Sequence, residues 1–102
     1  MNLASLPVAE LEAAEAAIWY DDQRRGLGDE FIEELRQAFS HIESAPRSFQ
    51  PLRLYAGGYD IRSCLIKRFP YVVIFRCRTE EVLIVAVSHV RRKPLYWLER
   101  LA

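Results

Sequence analysis

The sequence predicts an α+β fold: an N-terminal antiparallel helix hairpin packed on a small, mainly antiparallel sheet, with a short basic and aromatic C-terminal tail. Three observations lead there. Residues 8–44 repeat apolar side chains at helical spacing on either side of Gly26-Leu27-Gly28. Residues 61–88 hold three runs rich in β-branched and aromatic residues, separated by a proline and a charged link. Helices that precede strands, instead of alternating with them, belong to the α+β class with the helices on one sheet face. The chain length of 102 residues suits one domain, residues 1–102, with a single core.

Taken in order, Met1 to Leu6 is only weakly strand-like and predicts a short or frayed edge strand. Pro7 suits a first helical turn, where its missing N–H has no partner anyway, so a helix is expected from about Val8 to Arg24. Leu11, Ala14 and Ile18, with Ala17 beside them, are expected to form its buried stripe. Glu10, Glu12, Asp21 and Asp22 then point elsewhere, and Trp19 and Tyr20 read as core and helix-packing residues. Gly26 and Gly28 break the helix. A second helix over residues 29–44 places Phe31, Leu35, Ala38, Phe39 and Ile42 inward, with Asp29 and Glu30 complementing its positive start. Pro46 and Pro51 enclose a loop, and residues 51–60, with Gly57-Gly58, read as an irregular crossing.

Strands follow at 61–67, 69–77 and 82–88. Alternation puts Phe69, Tyr71, Val73, Phe75 and Cys77 on one face of the second and Val72, Ile74, Arg76 and Arg78 on the other. The run VLIVAV is apolar on both faces, as a central covered strand requires. Arg78 to Glu81 is a short polar link, hence an antiparallel hairpin. Pro70 belongs at a strand start or edge.

Composition narrows the function classes. No apolar run approaches a membrane span and no signal peptide precedes the first helix, so a cytoplasmic protein without a membrane partner is expected. Cys64 and Cys77 lack metal-ligand spacing and read as buried thiols on adjacent strands, within reach of a cross-strand contact; no metal or cofactor is expected. Net charge is zero but unevenly spread. Residues 1–51 carry ten acids against four arginines, a balance of −6, and residues 52–102 carry ten basic residues against four acids, a balance of +6. That asymmetry suits a basic surface for nucleic acid or an acidic partner, and equally an acidic helix pair packed on a basic sheet with all charges solvated.

The strings RFPY, VVIF, AVSH and RRKPLYWLER, with AEAAIWYDDQRRGLGDEFIEEL upstream, resemble the RelE/ParE superfamily of toxins from type II toxin–antitoxin modules, also known as plasmid stabilisation proteins. The resemblance covers nearly the whole chain. It implies a cognate antitoxin that wraps the domain in a hetero-oligomer, and growth inhibition through a cellular target. In the ParE branch the target is DNA gyrase and the toxin is no enzyme. In the RelE branch it is messenger RNA on the ribosome, cut without metal. A third class keeps the fold as a non-toxic binding module.

The resemblance also selects residues. Cleaving RNA by its own 2′-hydroxyl needs a proton acceptor, charge stabilisation and a proton donor. The matching positions are Arg62, Arg68, Arg92 and Tyr96, with His89 a weaker acid–base candidate. Arg91, Arg92, Lys93 and Trp97 are candidates for binding a target or nucleic acid. Where the ribonuclease branch often has a phosphate-binding arginine after Phe-Pro-Tyr, this chain has Val72, and Lys67 is the only lysine of the sheet region. These departures favour binding over cleavage. Structural roles stand beside each choice: His89 fixing a strand end, Tyr96 and Trp97 pinning the tail, Arg91 to Lys93 as a solvated run, and Arg62 and Arg68 paired with second-helix carboxylates such as Glu34.

Overall fold

Alanines, not the larger apolar residues, face inward on the first helix, and this sets how closely everything else packs. The computed structural model describes residues 2–102; the expectation for Met1 lies outside them. Its elements are β1 (Asn2–Ser5), α1 (Pro7–Gln23), α2 (Leu27–Ser44), β2 (Asp60–Leu65), β3 (Tyr71–Cys77) and β4 (Glu81–His89), with short 3-10 turns at Pro46–Ser48 and Leu98–Leu101. The four strands form one sheet in the order β1-β4-β3-β2. β1 runs parallel to β4, and the other two pairings are antiparallel. The α+β architecture is therefore the expected one, with a short edge strand at the start and β4 inside the sheet.

The buried side of α1 is Ala9, Ala13 and Ala16, with Tyr20 partly buried beside them. Leu11, Ile18 and Trp19 are 56%, 63% and 57% exposed, which corrects the expected stripe and the expected core role of Trp19. The reason is steric. α1 lies directly on β4, and Phe31, Phe69, Tyr71 and Tyr20 already fill the space between helices and sheet in an aromatic cluster whose contacts are edge-on except for the tilted Tyr20–Phe31 pair. Along Ala9, Ala13 and Ala16 only small side chains fit beneath the helix, and Tyr20 enters the aromatic cluster one turn further on. The inward face of α2 is as expected, with Phe31, Leu35, Ala38 and Ile42 buried and Phe39 packed against them.

Gly26 opens α2 at φ +89°, a conformation glycine adopts without strain. Gly28 is needed for a different reason: a β-carbon there would collide with the carbonyl oxygen of Ala17. The Asp21 carboxylate accepts the N–H groups of both glycines, at 3.2 and 2.9 Å, which fixes the angle between the helices.

In the sheet, β2 stops at Leu65 and β3 starts at Tyr71, so both are shorter than the sequence suggests. Arg68 turns back at φ +70° and Pro70 cannot donate to a ladder, although Phe69 still reaches the core. β4 carries a bulge. Ile74 pairs with Ala86 and Phe75 with Ile84, leaving Val85 unpaired between them. Val85 and Ala86 consequently point to the same face, and Ile84 and Val87 to the other. Register also separates the cysteines. Cys64 lies opposite Val73 and Cys77 opposite Asp60, so the cross-strand contact does not occur and both are free, buried thiols. Burial pushes both up from the usual thiol range, which disfavours the thiolate.

Two cores result, one on each sheet face. The larger lies beneath the helix hairpin. The smaller, Ile61, Ile74, Val85 and Ala86, is covered by the tail through Trp97, 3% exposed. Among the described residues no helix is long and apolar enough to cross a membrane.

Candidate functional site: a tail latch and an open groove

β1 ends at Ser5, opposite Ile84, so the edge of β4 beyond that point lacks a strand neighbour. Unpaired backbone groups there must find other partners. Glu12 of α1 supplies one: its carboxylate accepts the Val87 N–H at 3.0 Å. Arg100 supplies another by donating to the Val85 carbonyl at 3.0 Å. The two side chains also meet in a two-pronged pair at 2.8 and 3.0 Å, and the Tyr96 hydroxyl donates to the same carboxylate at 2.5 Å. One half-buried glutamate thus ties together the first helix, the bulged strand and the tail.

Burial by itself would raise the Glu12 carboxyl. The Arg100 guanidinium, the Tyr96 hydroxyl and the Val87 N–H outweigh it and hold the group below the ordinary glutamate value of 4.5. Tyr96 is shifted up, first by burial and then by its bond to Glu12. A phenol held as a donor to a carboxylate is a poor general base.

The arginines selected by the family resemblance are spread through the fold. Arg62 lies on the helix side of β2, only 16% exposed, pairs with Asp60 at 2.9 Å, and donates to the carbonyls of Phe49 and Arg47 at 2.6 and 3.1 Å. It fastens the 3-10 turn after α2 to the sheet. Arg68, in the β2–β3 turn, bonds Glu30 at 2.7 Å and lies 3.9 Å from Glu34, so its partners are second-helix carboxylates. Arg92 stacks on the Tyr96 ring at 4.0 Å and lies 3.7 Å from Glu12. Of the four, only Arg92 and Tyr96 come together, and their common partner is an acid.

His89 ends β4 with its Nδ1 accepting the Arg91 N–H at 3.0 Å and its ring against Tyr71, as a strand-end fixture does. Trp97 is buried in the second core, so its indole contributes anchoring and no exposed contact surface. Arg91 and Lys93 are exposed and, among the described residues, take no ion pair. Sequence reasoning missed Glu12 and Arg100. The available signal was an acid bordering the Ala9, Ala13, Ala16 stripe together with an arginine three residues beyond the buried tryptophan.

Between the tail and the sheet runs a groove of about 320 Å³. Its walls are mainly apolar, including Leu54, Leu65, Val72 and Val90, with Arg92 and Lys93 among its lining residues. Leu54, Leu65 and Val90 are 66%, 69% and 51% exposed. Such a surface suits an apolar segment that also carries acids. Among the described residues no group of three or more histidine, cysteine or acidic side chains could hold a metal, and no buried side-chain polar atom lacks a partner.

Three comparisons bear on this architecture. The family model described as "ParE toxin of type II toxin-antitoxin system, parDE" matches residues 8–94. No curated protein matches in sequence. Among solved structures, a chain of the "Chromosomal ParDE TA system from P. aeruginosa" is similar with a TM-score of 0.75 at 13% identity, over 87% of this chain and 95% of that one. At that identity the likeness is one of fold.

Proposed function

The chain belongs to the ParE toxin family of type II toxin–antitoxin systems, and on that premise we propose that it inhibits growth by binding a protein target, DNA gyrase by family resemblance, and is neutralised by an antitoxin seated in the groove. The observation carrying this reading is the internal engagement of the cleavage candidates. Arg62 and Arg68 are paired on the helix side, and Arg92 and Tyr96 lean on Glu12. RNA cleavage needs cations aimed at a phosphate and a free proton acceptor, and here Arg62, Arg68, Arg92 and Tyr96 are each turned to a protein partner. The open apolar groove with Arg92 and Lys93 supports the antitoxin half of the reading. An acidic, partly helical segment that orders on binding would bury Leu54, Leu65 and Val90 and pair with those cations.

Induction of the protein alone in a bacterial host tests this, with translation and DNA integrity followed in parallel over the first minutes. Continued translation with filamentation and DNA damage, relieved by coexpression of the antitoxin, is the expected result. Early loss of translation with cut messenger RNA, abolished by Arg92→Ala, would establish the endonuclease instead. Normal growth throughout would establish a non-toxic binding module.

A further inference from the structure

α1 is apolar on two opposite sides. Its inner side is the alanine stripe on the sheet. On its outer side, the 3.6-residue period aligns Val8, Leu11, Glu15, Ile18, Trp19 and Asp22, all exposed. Isolated apolar residues on a surface need no explanation, but four large ones in one stripe do. The acids within the stripe are also free for a partner. Glu12 and Asp21 of the same helix are engaged inside the fold, whereas Glu15 and Asp22 take no ion pair among the described residues.

We propose that this outer face of α1 is the docking surface for a basic, apolar-faced helical segment of the toxin's protein target, an inference that rests on the target-binding reading above. Charge selects the occupant. In a symmetric antiparallel pairing of two copies, Glu15 sits at the midpoint of the stripe and meets its own mate, an unfavourable contact. An acidic segment suited to the basic groove would be repelled here. An enzyme that handles DNA, by contrast, carries basic surface. The stripe also leads into a cleft of about 220 Å³ walled by Glu15, Trp19, Tyr71 and His89, where a lysine or arginine finds aromatic faces and a carboxylate. Arg92 lines the same cleft and is drawn to Glu12.

The isotope-labelled protein is titrated with a synthetic helical peptide of leucine and lysine, and separately with the same peptide carrying glutamate for lysine, while backbone amide shifts are followed. The lysine peptide is expected to move amides along α1, and Glu15→Lys/Asp22→Lys to weaken it about tenfold. The glutamate peptide is expected to leave α1 unmoved. A lysine peptide that spares α1, or binds the double variant unchanged, overturns the proposal. In cells, Leu11→Ser/Ile18→Ser is expected to abolish growth inhibition while antitoxin binding and melting temperature stay as in the parent. Loss of antitoxin binding would make the antitoxin the occupant, and a dimer dissolved by this variant would make a second copy the occupant; either overturns the proposal. Absence of growth inhibition by the parent would sink the target-binding reading, and the titration alone would then decide the surface.

Discussion

The two faces of the sheet are closed by different means. Under the hairpin, two helices seal a core of interlocked aromatics and alanines, with Phe31, Val73, Phe75, Val82 and Ile84 fully buried. On the other face, a short tail plugs the sheet with Trp97, held by the single carboxylate of Glu12, and the groove beside it keeps Leu54, Leu65 and Val90 in solvent. The first face is built for stability. The second is only partly covered by the chain itself, and its exposed leucines and valine are the apolar area that the proposed antitoxin would bury.

The contrast is broken most strongly from the sealed side. Phe31→Ala should destabilise the fold by about 4 kcal/mol, because the ring contacts Tyr20, Phe69 and Tyr71 and the cavity cannot collapse. Chemical denaturation should show one cooperative transition moved to much lower denaturant. Glu12→Ala acts on the other face and should remove about 3 kcal/mol, since Arg100 loses its charge partner and Tyr96 its acceptor. Here the loss should be local: hydrogen exchange should rise first in residues 91–102 while α2 stays protected.

Acid sharpens the same distinction. The Glu12 carboxyl lies below its ordinary value in the folded chain, so its contribution is complete above pH 4.5 and is lost as pH falls below that value through the folded-state value. The parent should therefore lose tail protection in that window, and Glu12→Gln should flatten this part of the profile. The smallest effect on stability belongs to the groove. Leu54→Ser/Leu65→Ser should shift unfolding by no more than about 0.5 kcal/mol. The same variant should weaken antitoxin binding about tenfold in a calorimetric titration.

Most of the sealed face was legible in the sequence. The inward residues of α2 and the alternation of β3 follow from period alone, and the doubly apolar VLIVAV marks the interior strand. The face of α1 was not legible, because a periodicity argument weights Leu11 and Ile18 over alanine, whereas a helix lying directly on β4 selects for small side chains. The latch was hidden for a different reason. Glu12 has work only because β1 stops at Ser5 and a bulge at Val85 redirects β4, and neither the end of an edge strand nor a one-residue bulge leaves a clear mark on local composition. The arginines show the opposite limit: the sequence marks them as cations, but whether each faces solvent or a carboxylate depends on tertiary partners such as Asp60, Glu30 and Glu12.

The division of labour between the faces is tested most directly by hydrogen exchange on the protein with and without its antitoxin. Protection gained along the groove, at residues 52–54 and 90–97 and at the Leu65 end of β2, with α1 and α2 unchanged, is the expected outcome. Protection concentrated on the helix hairpin, with the groove still exchanging freely, would contradict it.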